Sequence, residues 1–179
     1  MKFLLRGLTL LFILSTASIV HADTKVYFSP NGGCQDTVLS EINKAHDSID
    51  IAMYELTSKE IAQALVKAKK RDVKVKITFD AAQIKDHASK SRYLMNKGLD
   101  VKFKMGPGLL HDKFAVIDDK IVLTGSFNWT ESADKKNAEN LLVITDKEIA
   151  QKYTKEFKHL WGQSGEGASK IKETDDENK

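Results

Sequence analysis

Between Lys25 and Trp161 the hydrophobic positions switch repeatedly between a period of two and a period near 3.6, the signature of strands alternating with helices. Lys25 to Phe28 reads as a strand, followed by a turn at Pro30-Asn31-Gly32-Gly33 and a helix with Val38, Leu39, Ile42 and Ala45 on one face. Ser48 to Tyr54 is a second strand. Thr57 then opens a helix, with Glu60 completing a capping box and Ile61, Ala64, Leu65 and Ala68 forming the apolar stripe. Val73, Val75, Ile77 and Phe79 alternate as a strand, and a helical segment after them ends at Lys97-Gly98, where glycine takes a left-handed cap. Leu99 to Lys104, His111 to Asp118, Ile121 to Thr124 and Leu141 to Thr145 are four more strands. The last helix carries Ile149, Tyr153, Phe157 and Trp161 at four-residue spacing, all as core. The pattern predicts an α/β fold: one α/β/α sandwich domain with helices over both faces of a sheet. The tight turn at Asp118-Asp119-Lys120 joins two strands as an antiparallel hairpin, so the sheet is expected to be mixed.

The ends of the chain read differently. Met1 to Ala22 has Lys2 and Arg6 in front, an apolar run from Gly7 to Val20 and a Val-His-Ala exit, the layout of a secretory signal peptide cut after Ala22. That run is about 14 residues, short of the roughly 18 a membrane-spanning helix needs. A single folded domain is therefore expected over residues 23–162, exported to the periplasm or beyond, with no stable membrane association after cleavage. From Gln163 to Lys179 the chain is Gly, Ser and charge, and is expected to form a disordered tail.

Charge and cysteine content narrow the partners. The formal net charge is +3. Lys2 and Arg6 leave with the leader, but the tail is acidic, so a modest basic surplus belongs to the folded part. One cysteine, Cys34, excludes an intrachain disulfide scaffold or a cysteine-rich zinc site, and its place near a helix start predicts burial. Six basic residues lie between Lys67 and Lys76 (Lys67, Lys69, Lys70, Arg71, Lys74, Lys76), either a phosphate-tracking patch or a solvated helix end. Lys102 and Lys104 are expected nearer the active strand.

The chemistry concentrates in Leu109 to Thr130, LLHDKFAVIDDKIVLTGSFNWT. On a strand, His111 and Lys113 project from one face and Asp118 from the other. Asp118 then reads as structural, not as a partner of His111. Phosphodiester cleavage needs a nucleophile or activated water, an acid for the leaving oxygen and donors around the phosphoryl oxygens. Histidine serves as nucleophile or acid near neutral pH. Lys113 supplies a cation, and Ser126 and Asn128 supply neutral donors from a loop that Gly125 lets approach closely. Trp129 either stacks on a base or packs in the core. An alternative set of Asp118, Asp119, His111 and Glu139 as metal ligands is disfavoured by the same alternation, so no metal and no cofactor is expected. His46, His87 and His159 have no role assigned.

The spacing H-x-K-x4-D-x6-G-S-x-N resembles the HKD motif of the phospholipase D superfamily, with every defining position filled. VYFSPNGGCQDTVLSEINKAHDSIDIAMYELTSKEIAQAL, KVKITFD and KKNAENLLVI resemble the small bacterial secreted or periplasmic endonucleases of the Nuc type, with Arg71-Asp72-Val73 where many have Arg-Gly-Val. The resemblance implies a phospholipase D/nuclease-like fold and a metal-independent, sequence-nonspecific endonuclease acting on DNA, or RNA, through a phosphohistidine. It implies catalytic roles for His111, Lys113, Asn128 and Glu139, substrate contacts from Lys113, Ser126 and Asn128, and structural motif positions at Asp118 and Gly125. Glu139 is expected to pair with the histidine. Two HKD motifs are needed for such a site and this chain has one, so a homodimer is implied. The rival readings are a phospholipase D-type enzyme acting on phospholipids and a non-catalytic nucleic-acid binder.

Overall fold

The computed structural model describes residues 22–166. Along them run β1 (Asp23–Ser29), α1 (Cys34–Lys44), β2 (Ser48–Met53), α2 (Lys59–Lys70), β3 (Lys74–Asp80), α3 (Ser91–Asn96), β4 (Asp100–Lys104), β5 (Lys113–Ile117), β6 (Ile121–Gly125), α4 (Glu131–Lys135), β7 (Glu139–Thr145), α5 (Lys147–Gln163) and β8 (Ser164–Gly165). The strands form a single sheet in the order β1-β7-β6-β5-β2-β3-β4-β8. β2, β3 and β4 are parallel neighbours, joined by the helical crossovers that parallel pairing requires, while the other pairs are antiparallel. The expected mixed sheet and its hairpin at Asp118-Asp119 are present.

Alternation along each strand feeds two cores. Ile49, Ile51 and Met53 of β2, with Val75, Ile77 and Phe79 of β3, face α1 and α2 and pack against Val38, Ile42, Ile61 and Leu65. The opposite face holds Ala52, Phe114, Val116 and Val122 under Ala150, Phe157 and Leu160 of α5. Each large side chain so buried contributes about 1.5–3 kcal/mol, so both helical layers are held by the sheet. Cys34 is fully buried at the start of α1, and burial, then the nearby Asp134 carboxylate, pushes its thiol up from the ordinary range.

Several boundaries move. The cap of α2 is Ser58, whose hydroxyl accepts from Ile61 N, because Thr57 N and Ser58 N are both held by Trp129 O. The segment before Gly98 is a 3-10 turn (Ala81–Ile84) and the short α3; Gly98 does adopt the left-handed conformation, with φ 75°. α4 was not expected from the sequence and is capped by Thr130. The domain does not stop at Gly162. α5 runs through Gln163, and the Ser164 hydroxyl lies 2.7 Å from that of Thr78 while Ser164 pairs with Lys104. Trp161, expected as core, is half-buried. The predicted leader, apart from Ala22, and the tail beyond Glu166 lie outside the described residues. No helix among the described residues is long and apolar enough to cross a membrane.

Candidate active site

One end of the sheet gathers the chain segments that sequence separates. β2 ends at Met53 opposite Lys113, the first residue of β5; β3 ends at Asp80; β6 ends at Gly125; and β7 begins at Glu139 opposite Ser29. His111, Lys113, Ser126, Asn128 and Glu139 all belong to this rim.

His111 is exposed and sits just ahead of β5, not within it as expected. Its carbonyl accepts from the Lys113 ammonium at 2.7 Å, while the β2–β5 register continues one step past Met53 and Lys113, with Tyr54 N donating to Asp112 O. The predicted pairing of side chains nevertheless forms: Lys113 Nζ lies 3.2 Å from His111 Nδ1. Tyr54, which sequence reasoning missed, backs both groups. Its ring centroid is 4.6 Å from that of His111, and the ammonium stands 5.1 Å above it. Burial lowers the Lys113 pKa, and the nearby Asp112, Glu139 and Glu55 carboxylates oppose that shift. The half-buried ammonium is thus a sparsely hydrated cation beside an accessible imidazole.

The second wall is the loop after β6. Gly125 has φ 147°, and a Cβ there would overlap Asn140 O, so only glycine fits. This close approach lets Ser126 N donate to Asn140 Oδ1 at 2.7 Å and lets Phe127 N donate to Asn140 O. The Ser126 hydroxyl donates to Glu139 Oε2 at 2.5 Å, and Asn137 Nδ2 donates to Oε1 at 3.2 Å. The expected direct pairing of Glu139 with His111 is not among the hydrogen bonds of the described residues; both oxygens of the carboxylate are occupied by Ser126 and Asn137. Trp129 is buried and locks the loop to the segment after β2, with Trp129 N donating to Glu55 O. That removes it as a base-stacking platform. Asn128 Oδ1 is buried without a partner, so Asn128 carries an unspent acceptor into this rim.

Asp80 was also missed. It is 3% exposed; Oδ1 accepts from Ala82 N and Oδ2 from Leu110 N at 2.7 Å, fixing the residue next to His111. A lone aspartate at a strand end carries no sequence signal of that contact. Lys104 lies at the same end and donates to Pro107 O and Gly108 O, so it shapes the loop leading to His111.

Asp118 is at the opposite end. Its carboxylate accepts from His46 N, Asp47 N and Ser48 N, tying the β5–β6 turn to the start of β2. Burial alone would raise this carboxyl; the three N–H donors outweigh it and hold the pKa below the ordinary value. About 17 Å of strand separates it from Lys113, so Asp118 and His111 cannot share a metal ion. Among the described residues no group of three or more His, Cys, Asp or Glu side chains is placed to hold one. The basic cluster of α2 and β3 also lies at this far end. Arg71 is spent on Ile42 O and Ala45 O, and Lys69 on Gly98 O.

Comparison with known proteins places these features in a wider group. The family model described as "Cardiolipin synthase, PLD-like domain" matches residues 38–161. A phospholipase D of Rickettsia conorii is 41% identical over 126 residues, covering 70% of this chain and 63% of its own. A mitochondrial cardiolipin hydrolase of Xenopus laevis is 36% identical over 124 residues, covering 69% and 59%. The chain thus spans somewhat under two thirds of those two relatives. The crystal structure of Nuc, a phospholipase D family member from Salmonella typhimurium, superposes with a TM-score of 0.77 at 35% identity, covering 81% of this chain and 97% of that one.

Proposed function

The chain belongs to the phospholipase D superfamily, as its motif led one to expect, and from that premise we propose that it is a metal-independent, sequence-nonspecific endonuclease that hydrolyses nucleic-acid phosphodiesters within a homodimer. The observation that carries the proposal is the exposed His111 imidazole with the Lys113 ammonium 3.2 Å from its Nδ1. Nε2 attacks phosphorus from the tautomer that carries the ring proton on Nδ1, so the Lys113 ammonium turns from Nδ1 to the phosphoryl oxygens in the reacting complex. An N–P bond forms as the P–O bond to the leaving nucleoside breaks, and that oxygen takes a proton from the second copy of His111. Water then attacks phosphorus, giving its proton back to the second imidazole, and the N–P bond breaks. The Lys113 ammonium and the Asn128 Nδ2 amide donate to the phosphoryl oxygens, where preorganised donors stabilise developing charge. Ser126 assists, and Glu139 acts through Ser126 and Asn137 to hold the loop.

One copy supplies nucleophile or acid but not both, and the rim offers a surface for a second copy. Val26 and Phe28 of β1 and Leu109 beside the site are large apolar side chains 53%, 61% and 61% exposed. Val26 and Phe28 lie on the face opposite the core-packed Tyr27, and Phe28 pairs with Asn140, which holds Ser126. Cleavage of the leader after Ala22 would place this enzyme in the periplasm or outside the cell.

A second reading is supported by the names of the relatives: a phosphodiesterase for phospholipid headgroups. One experiment separates these. Wild type and His111→Ala are incubated in excess chelator with single- and double-stranded DNA, RNA and phospholipid vesicles. The proposal expects nucleic acid to be cut by wild type only. Cleavage restricted to vesicles, or activity lost in chelator and restored by magnesium, would overturn it. A nucleic-acid effect that survives His111→Ala would identify a binder.

A further inference from the structure

The Tyr54 side chain donates nothing to the mechanism above, yet it touches both groups that carry it. Its backbone stands across from Asp112, the residue between His111 and Lys113, because Tyr54 N donates to Asp112 O just beyond the last β2–β5 pair. The ring centroid is 4.6 Å from that of His111, with the planes tilted by 48°, and the Lys113 ammonium stands 5.1 Å from the same centroid. The next residue is also held, since Glu55 O accepts from Trp129 N. The half-buried ring is thus fixed by its backbone and forms a platform for an imidazole and an ammonium at once.

An aromatic face suits this place better than a charged group would. A carboxylate in contact with Lys113 would draw it into an ion pair and cancel the positive charge that the phosphoryl oxygens need. The carboxylates that are near, Asp112, Glu139 and Glu55, act on Lys113 through charge and not through a hydrogen bond. The ring attracts a cation through its negative face and uses no acceptor of fixed direction. The ammonium can therefore keep its place on the ring while its N–H groups exchange His111 Nδ1, 3.2 Å away, for a phosphoryl oxygen. An aliphatic side chain of similar size would fill the space without supplying that hold. Contact with the same ring also limits the directions in which Nε2 can point.

We propose that Tyr54 is a positioning residue for phosphoryl transfer, whose ring keeps the Lys113 ammonium in place as it passes from His111 to the phosphate and sets the angle of the attacking imidazole. The role rests on phosphodiester hydrolysis at His111 and is the same whether the substrate is nucleic acid or lipid.

The test uses the full chain and bis(p-nitrophenyl) phosphate as substrate. Tyr54→Phe keeps the face, Tyr54→Leu keeps apolar bulk without it, and phenylalanines carrying one to three ring fluorines at position 54 weaken the face at nearly constant shape. Tyr54→Phe should retain kcat close to wild type. Successive fluorines should lower kcat stepwise, to a total loss of about fivefold to thirtyfold, the worth of a cation–π contact at a partly desolvated site. Tyr54→Leu should lower kcat by about 100-fold, as misplacement of a reacting group does, with KM changed far less. A readout without turnover is the ring-current shift of the His111 ring protons in NMR spectra, which Tyr54→Phe should keep and Tyr54→Leu should remove. A kcat indifferent to fluorination would overturn the proposal, as would full activity in Tyr54→Leu or a KM that rises with kcat unchanged. Equal losses in Tyr54→Phe and Tyr54→Leu would assign the effect to the hydroxyl and overturn it too. If Tyr54→Leu lowers the unfolding midpoint, the fluorinated series decides, because it preserves the packing. A wild type that hydrolyses the small diester but cuts no nucleic acid would end the nuclease reading and leave the role of Tyr54 to be decided by the same series; one inert toward every diester would overturn both.

Discussion

Replacing Asp80 by Asn tests how far the site depends on a contact that leaves no mark in the sequence. The carboxylate has two oxygens and each accepts one backbone N–H, from Ala82 within its own turn and from Leu110 thirty positions on. An asparagine of the same shape keeps one acceptor and turns the other into a donor. The local bond to Ala82 is the easier to retain, so Leu110 N is left without its acceptor and faces an N–H₂ group inside a 3% exposed site. A buried donor left unmade costs about 1–3 kcal/mol, more where the acceptor was charged. Relief comes only by moving the Leu110 segment outward, and Leu110 is itself buried under α5. His111 is the next residue, and a displacement near 1 Å at a reacting group costs about 100-fold in rate. Asp80→Asn should therefore lower the urea unfolding free energy by about 2–3 kcal/mol. It should also lower kcat on bis(p-nitrophenyl) phosphate by about two orders of magnitude under conditions where the protein remains folded. A variant with wild-type stability and kcat would show that Asp80 does not position His111. A drop in stability with kcat intact would confine it to the fold.

Other side chains give further expected outcomes. Gly125→Ala forces a Cβ against Asn140 O and strains the backbone, so it should cost about 2–4 kcal/mol and abolish activity; a folded, active variant in a melting and turnover assay would contradict this. Asp118 has a depressed pKa, so its contribution is complete above the ordinary carboxylate value and fades as pH falls through the folded one. Asp118→Asn should lose about 1–2 kcal/mol at neutral pH and show a flatter acid limb in unfolding measured against pH, leaving the site intact. Asp50 shows the opposite sign. Burial raises it to about 6, opposed by Lys76 and Lys158, so its ionisation costs stability as pH rises through that value. Asp50→Asn should gain about 1–2 kcal/mol at pH 8 after allowance for solvent screening and nothing near pH 4, read from paired urea titrations. Phe28→Asp should shift the protein to monomer in sedimentation and lower activity in proportion; an active monomer would remove the shared-site mechanism.

Strand period and turn chemistry were legible in the order of residues, because both are local. The alternation at Val75, Ile77 and Phe79 and the stripe at Ile61, Ala64, Leu65 and Ala68 depend only on chain geometry. So does the approach of His111 to Lys113, two positions apart. The motif spacing further marked Gly125 and Asp118 as structural positions, and both act in that way. Local pattern failed where a residue from elsewhere intervened: Trp129 O takes both Thr57 N and Ser58 N, and α2 is capped at Ser58, one position later than the capping box placed it.

By itself, then, the sequence determined the main strands and helices, the two-sided sheet and the pair of groups able to attack and hold a phosphate. Which other residues join them was decided by tertiary structure. Placing β2 between β3 and β5 brings Tyr54 under His111 and Asp80 against Leu110, while β6 and β7 bring Ser126 to Glu139. The same topology sends Asp118 and the lysine cluster to the far end. These contacts join positions well beyond one helical turn or strand repeat, and their pairing comes from strand order and register. No periodicity along the chain encodes either one.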